Sequence, residues 1–289
     1  MTNQIAIKVH TNPLDEVICD VSSHIYQYET GGYAFHSGVG VKLLHGENGK
    51  ITLDQVIGGV NGDFDWLPQS KLVVIENTCN KAGGSYYTLD EIRPISDYCR
   101  LVDIKIHLDG ARLFNALVET KESTLEVGAA FDSISICLSK GLGAPVGSLL
   151  IGDAAFIKQA RRFRKVMGGG MRQAGFLAAA GIYALKNNIK RLKIDNQRAS
   201  QLAQLLETKS YVRRVRPVMS NIVIFESTYL WTAREFVDKL AEYDILAVPM
   251  DEKGVRLTMH LDITDEMFDR LLFILDNYSF SKYPDDIPF

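Results

Sequence analysis

Short apolar runs alternate with longer amphipathic stretches over the first two thirds of the chain. The runs near 16–20, 39–44, 71–76, 104–108, 133–137 and 147–152 read as strands, bounded by turn residues. Between them, apolar positions at helical spacing predict helices near 1–10, 88–101, 111–120 and 153–166. This alternation predicts an α/β fold, a largely parallel sheet covered by helices on both faces. Around 171–208 the pattern becomes almost wholly helical. Beyond it, strands near 211–216, 222–226, 245–248 and 254–259, with helices near 231–242 and 264–278, predict a smaller α+β domain. The boundary falls near residue 190, giving a large domain of 1–189 and a small one of 190–289. Pro284 and Pro288 predict a loose tail.

Composition narrows the picture. A chain of 289 residues, 46% hydrophobic, is long enough to bury a sizeable core and to form two domains. With 32 basic and 35 acidic residues, a net charge of −3 gives no general attraction to nucleic acid or to an anionic membrane. Arg161, Arg162, Arg164 and Lys165 are the notable basic concentration, either a solvated helix face or a subunit contact. Cys19, Cys79, Cys99 and Cys137 lie too far apart for a zinc or redox motif, and no metal is expected. Reduced cysteines fit a cytoplasmic location. No apolar stretch reaches the ~20 residues that span a bilayer, and the amino terminus does not read as a secretion signal.

Chemistry enters at SISICLSKGLGAPVGSLLI, residues 133–151, where Lys140 stands in a turn of small residues between two apolar strands. A lysine there is either an ordinary loop residue or a Schiff-base lysine, with Gly141, Gly143 and Gly147 removing steric bulk around it. In HLDGAR, Asp109 ends a short strand and precedes a helix. It can cap that helix. It also stands where open α/β sheets bind ligands. Taken together, the two residues fit pyridoxal phosphate, with Lys140 on the aldehyde and Asp109 keeping the ring nitrogen protonated.

The blocks DVSSHIYQYETGG, ENTCNKAGG, HLDGARLFNA, SICLSKGLGAPVGS, RKVMGGGMRQAGFLAAAGIYAL and VRLTMHLD resemble, in order, those of the low-specificity L-threonine aldolases. The resemblance runs from residue 20 to residue 262. It implies the pyridoxal-phosphate-dependent transferase-like fold (fold type I) and retro-aldol cleavage of L-threonine or L-allo-threonine to glycine and an aldehyde. It also implies a homodimer or homotetramer acting on a small amino-acid substrate. The family has a Ser-Gly-Thr phosphate loop before the helix that starts at Met1, so the chain reads as lacking the family's first segment. Other pyridoxal-phosphate β-eliminating lyases share the lysine and the aspartate, and an inactive remnant without the phosphate loop is the remaining alternative. A Rossmann dehydrogenase is disfavoured because GLGAPVGS leads into a strand, not a helix, and a P-loop enzyme because no GxxxxGK[ST] occurs.

By the same resemblance, His24 stacks on the pyridine ring and takes a proton from the substrate hydroxyl. Arg112, one turn into its helix, faces the cofactor or the substrate carboxylate, and Arg172, after Gly168, Gly169 and Gly170, approaches the phosphate. Arg256 is the better candidate for the substrate carboxylate, since a guanidinium fork binds it with two parallel hydrogen bonds. Tyr28 either lines the pocket or belongs to the core. The family commonly has ENTHN where this chain has ENTCN, so Cys79 replaces a histidine near the substrate hydroxyl. A neutral thiol is a weak donor and a poor base.

Overall fold

The computed structural model describes residues 1–277 and 280. The chain divides into two compact units, Met1–Lys81 with Ser85–Lys190, and Ala82–Gly84 with Arg191–Phe289.

In chain order the first unit contains α1 (Thr2–His10), β1 (Asp15–Asp20), α2 (His24–Gln27), β2 (Gly40–Leu44), α3 (Leu53–Gly59), β3 (Gln69–Glu76) and α4 (Leu89–Leu101). It continues with β4 (Lys105–Gly110), α5 (Leu113–Thr120), α6 (Thr124–Ala129), β5 (Ser133–Cys137), β6 (Ser148–Gly152), α7 (Ala154–Val166) and α8 (Gly175–Asn187). Its sheet has the order β2-β1-β3-β4-β5-β6. Every neighbouring pair is parallel except β5 with β6. The segment between Cys137 and Ser148 is too short for a parallel crossover, which needs a dozen or more residues, so β6 returns antiparallel.

The central strands are apolar because both of their faces are covered. Val17, Ile18, Leu72, Val73, Ile106 and Leu108 are all fully buried. Helix α1 packs in two directions. Ile7 joins the cluster of Val17, Cys19, Leu72 and Val74, while Ile5 and Ala6 meet Phe156 and Ala160 of α7. On the same helix Asn3 and Gln4 are buried although polar.

The short helices α3 and α6 do not stand out in the sequence, because each carries glycine and only a turn or two of apolar spacing. Their starts are set by caps. Thr52 accepts the Gln55 amide at 3.3 Å while the Gln55 side chain accepts the Thr52 amide at 2.9 Å, and Ser123 accepts the Leu125 amide at 3.3 Å. Helix α5 starts at Leu113, not 111, because Arg112 is its N-cap residue, with the non-helical angles φ −129° and ψ 31°.

The second unit contains α9 (Leu192–Glu207), β7 (Val212–Val215), β8 (Ile222–Ser227), α10 (Ala233–Ala241), β9 (Val248–Pro249), β10 (Gly254–Thr258) and α11 (Asp265–Asn277). Its antiparallel sheet, ordered β7-β8-β10-β9, packs Val223, Phe225, Val255 and Leu257 against Leu202, Leu206, Phe236 and Leu275. The strand read near 245–248 shrinks to an edge pair, where Pro249 stands opposite Val255. A proline has no N–H for a ladder and sits at a sheet edge. The expected tail at Pro284 and Pro288, and the last residue of the helix expected over 264–278, lie outside the described residues. Among the described residues no helix is long and apolar enough to cross a membrane.

Candidate active site

Because β3, β4 and β5 run parallel, their carboxyl ends share one edge of the sheet, the edge where open α/β sheets bind ligands. Glu76 pairs with Asp109 there, and Asp109 with Ser135. Past β5 the chain turns tightly. Leu138 donates its amide to the Gly147 carbonyl, Ala144 to Leu138 and Gly143 to Lys140, each at 2.9 Å. Gly143 and Gly147 take φ of 74° and 119°, a region open to glycine. This turn holds Lys140 half-buried, and its ammonium acts on the buried Asp109 carboxylate.

Burial pushes the Asp109 carboxyl above its ordinary value and the Glu29 charge adds to this. His24, Lys140 and a hydrogen bond from Asn3 oppose the rise. The net direction is upward.

His24 is positioned through its backbone. Asp20, at the end of β1, accepts the amides of Ser22 and Gly46, each at 2.7 Å, and so turns the chain out of the sheet. Glu76 then accepts the amides of His24 at 2.6 Å and Asn80 at 2.8 Å. The imidazole Nδ1 lies 3.0 Å from Glu29 Oε1. The hydrogen bond to Glu29 raises the His24 pKa, burial opposes it, and the charges of Asp109, Glu29 and Glu76 add to the rise.

Glu29 reaches this position through the turn that follows it. Thr30 and Gly31 adopt φ of 55° and 68°. A Cβ on Gly32 would come within 2.8 Å of the Gln4 side chain, so the ETGG sequence lets the loop close on α1. Asn3 Nδ2 donates to Glu29 Oε1 at 2.9 Å and to Asp109 Oδ2 at 2.8 Å, and Gln4 Nε2 donates to Glu29 Oε2. Burial alone would raise the Glu29 carboxyl, but hydrogen bonds from His24, Gln4 and Asn3 outweigh it and hold the pKa down to about 2. One ligand-capable atom each from His24, Glu29 and Asp109 lies within 4.8 Å of the others.

This donor set fits pyridoxal phosphate. The ring needs a buried carboxylate for its protonated nitrogen, an amine for its aldehyde and a flat group for its face. Asp109, Lys140 and His24 are the residues that could hold it in these ways, and Lys140 and His24 each act on the Asp109 carboxylate.

The other residues singled out by sequence have the following surroundings. Tyr28, 45% exposed, stands beside His24 with ring centroids 5.5 Å apart, and Lys81 Nζ lies 5.6 Å from the Tyr28 ring centroid. Cys79 is buried, its thiol directed at the carbonyls of Glu76 (3.1 Å) and Gly49 (3.4 Å). Arg112 is half-buried at the start of α5, and Arg172 faces solvent between α7 and α8. Arg256 lies on β10 of the second unit, opposite Ile224 and Val248.

Asn3, Gln4, Glu29 and Glu76 belong to the site although their sequence positions do not announce it. The available signals are modest. Two adjacent polar residues interrupt the buried side of α1, and an acid precedes a Thr-Gly-Gly turn.

Comparisons with known proteins identify the family and the fold. A family model described as beta-eliminating lyase matches residues 1–228. The low specificity L-threonine aldolase of Escherichia coli K12 is 38% identical over 266 residues, covering 91% of this chain and 77% of that protein. The crystallographic neighbours include Leishmania major threonine aldolase, at a TM-score of 0.80 and 24% identity over 95% of this chain and 80% of that one. A PLP-dependent aminotransferase from Streptococcus suis superimposes with a TM-score of 0.70 at 16% identity, covering 95% of this chain and 73% of that one. These last two likenesses establish the fold, that of the pyridoxal-phosphate-dependent aminotransferases.

Proposed function

The chain belongs to the beta-eliminating lyase family, and from that premise we propose that it cleaves L-threonine and L-allo-threonine to glycine and acetaldehyde. Family and relatives make it a pyridoxal-phosphate-dependent lyase of threonine aldolase-like function. What supports the substrate reading is the 38% identity to the low specificity L-threonine aldolase of Escherichia coli K12, while the shared edge, with Asp109 buried and Lys140 and His24 each acting on it, supports the cofactor.

Bound pyridoxal phosphate supplies a sink for the electron pair left on Cα when the Cα–Cβ bond breaks. Lys140 is the amine that anchors the cofactor aldehyde. The Asp109 carboxylate would hold the ring nitrogen of the cofactor in its protonated form. His24 accepts the β-hydroxyl proton as the aldehyde departs, and a proton delivered to Cα completes glycine. Arg256 is assigned, by resemblance alone, to the substrate carboxylate.

Self-association is part of the proposal. Helix α8 is rich in apolar residues yet leaves Phe176, Ile182 and Tyr183 exposed, as β6 does Leu149 and Ile151. Exposed apolar surface of this kind marks interaction sites. Sedimentation at micromolar concentration separates a dimer or tetramer from a monomer.

The test of the reaction supplies the purified chain with pyridoxal phosphate and each substrate. Equal amounts of glycine and acetaldehyde are expected. Ammonia with a keto acid, in place of glycine, overturns the retro-aldol reading.

A further inference from the structure

We infer that Glu29 is a positioning residue that places the proton of the neutral His24 ring on Nδ1, and that the Asn3 carboxamide ties this pair to Asp109. The role of His24 in proton transfer rests on the aldolase reading, whereas the placement of its proton does not.

The geometry begins with Asn3. Its Nδ2 uses both hydrogens, one on Glu29 Oε1 at 2.9 Å and one on Asp109 Oδ2 at 2.8 Å. Flipping the amide would set its oxygen against two carboxylates, so charge fixes its orientation. Asn3 Oδ1 then faces His107 Nε2 at 3.2 Å, while His107 Nδ1 lies 2.8 Å from the Ser133 hydroxyl and 3.1 Å from the Ser133 carbonyl. Burial pushes the His107 pKa down to about 3, so this neighbour of Asn3 is neutral.

The same reasoning fixes His24. An ionised carboxylate only accepts, so the His24 nitrogen 3.0 Å from Glu29 Oε1 carries the hydrogen. In the neutral ring Nε2 is then left with its lone pair, the form a base needs. Gln4 holds the second Glu29 oxygen, which stops the carboxylate from turning away. The charged groups that act on His24 are Glu29, Asp109 and Glu76, all acidic. Of these, Glu29 contacts the ring, while Glu76 holds the backbone amide.

The experiment uses the full chain carrying ¹⁵N-labelled histidine, without added cofactor, with the His24 signals assigned by their loss in His24→Gln. The expected tautomer of neutral His24 is Nδ1–H. In Glu29→Gln the His24 pKa is expected to fall by about one unit, since the adjacent negative charge is gone. A purely space-filling Glu29 would leave that titration unmoved. In the pyridoxal-phosphate-loaded enzyme the acid limb of kcat/KM is expected to shift to lower pH by a similar amount. An Nε2–H tautomer in the wild-type chain, or an unchanged His24 titration in folded Glu29→Gln, overturns the inference. If Glu29→Gln does not fold, the wild-type tautomer decides alone. If the tautomer and titration come out as expected while no glycine is formed from threonine, the placement of the proton stands and the substrate assignment falls.

Discussion

Glu76 and Asp109 face one another as paired residues at the carboxyl edge of β3 and β4, two buried acids on adjacent strands. Burial and the Asp109 charge push the Glu76 carboxyl up to about 7, against two backbone amides that favour its ionised form. The unfolded chain releases this proton near 4.5 and the folded chain near 7. Between those values the folded state holds more protons, so the stability contributed by Glu76 is complete below pH 4.5 and is lost as pH rises through 7. Glu76→Gln removes that dependence. Relative to the variant, the wild-type protein is expected to lose on the order of 2 kcal/mol between pH 5 and pH 8 in urea unfolding. A constant difference across that range would mean that Glu76 is ionised in the fold throughout.

His107 produces the opposite slope. It is fully buried beneath Asn3 and burial lowers its pKa from 6.5 to about 3, so the unfolded chain binds a proton that the folded chain refuses. Stability therefore falls as pH drops from 6.5 toward 3. His107→Gln keeps polar atoms beside Asn3 and Ser133 while removing the titration. The advantage of wild type over this variant is expected to shrink by roughly 2 kcal/mol between pH 7 and pH 5. Parallel stability curves would show that His107 takes up its proton at the same pH in the fold as in the unfolded chain.

These two residues show what the sequence could convey. The strands were legible because β1, β3 and β4 are covered on both faces and must be almost continuously apolar. Lys140, Asp109 and His24 stand out because each sits in a short segment whose residue types suggest chemistry, and the fold places them on one edge. Glu29 and Asn3 do not stand out. Their part in the site comes from a meeting of residues 26 and 106 positions apart, and no local pattern encodes that Asn3 bridges Glu29 and Asp109. Cys79 shows the converse. Its place in a motif draws attention to a substrate group, yet the folded thiol is directed at backbone carbonyls and shut away from solvent.

Thiol labelling reports this arrangement. Burial pushes the thiols of Cys19 and Cys99 up to about 12 and that of Cys79 well above its ordinary value, so each supplies almost no thiolate. Cys137 is half-buried, with its sulfur 3.5 Å from the Ser148 hydroxyl. A disulfide reagent at pH 8 is expected to label Cys137 rapidly in the native chain and all four cysteines after unfolding, with the fast phase absent in Cys137→Ser. Rapid native labelling of Cys79 would mean that the segment from Glu76 to Asn80 opens in solution.

Lys140 separates electrostatic from covalent roles. Its ammonium is one of the charges holding down the buried Asp109 carboxyl, so removing the charge would disturb the site even without any covalent chemistry. Lys140→Arg keeps a cation beside Asp109 but has no amine that deprotonates in the working range. If the lysine only balances charge, this variant retains most of the activity. If it anchors the cofactor aldehyde, aldol cleavage is expected to fall by on the order of a thousandfold or more while the unfolding midpoint stays close to wild type. Borohydride treatment followed by peptide mapping supplies the independent readout. The wild-type protein is expected to retain the cofactor covalently on the peptide containing Lys140, and Lys140→Arg to retain none. Cofactor trapped at another lysine in the wild-type chain would remove Lys140 from its assigned role.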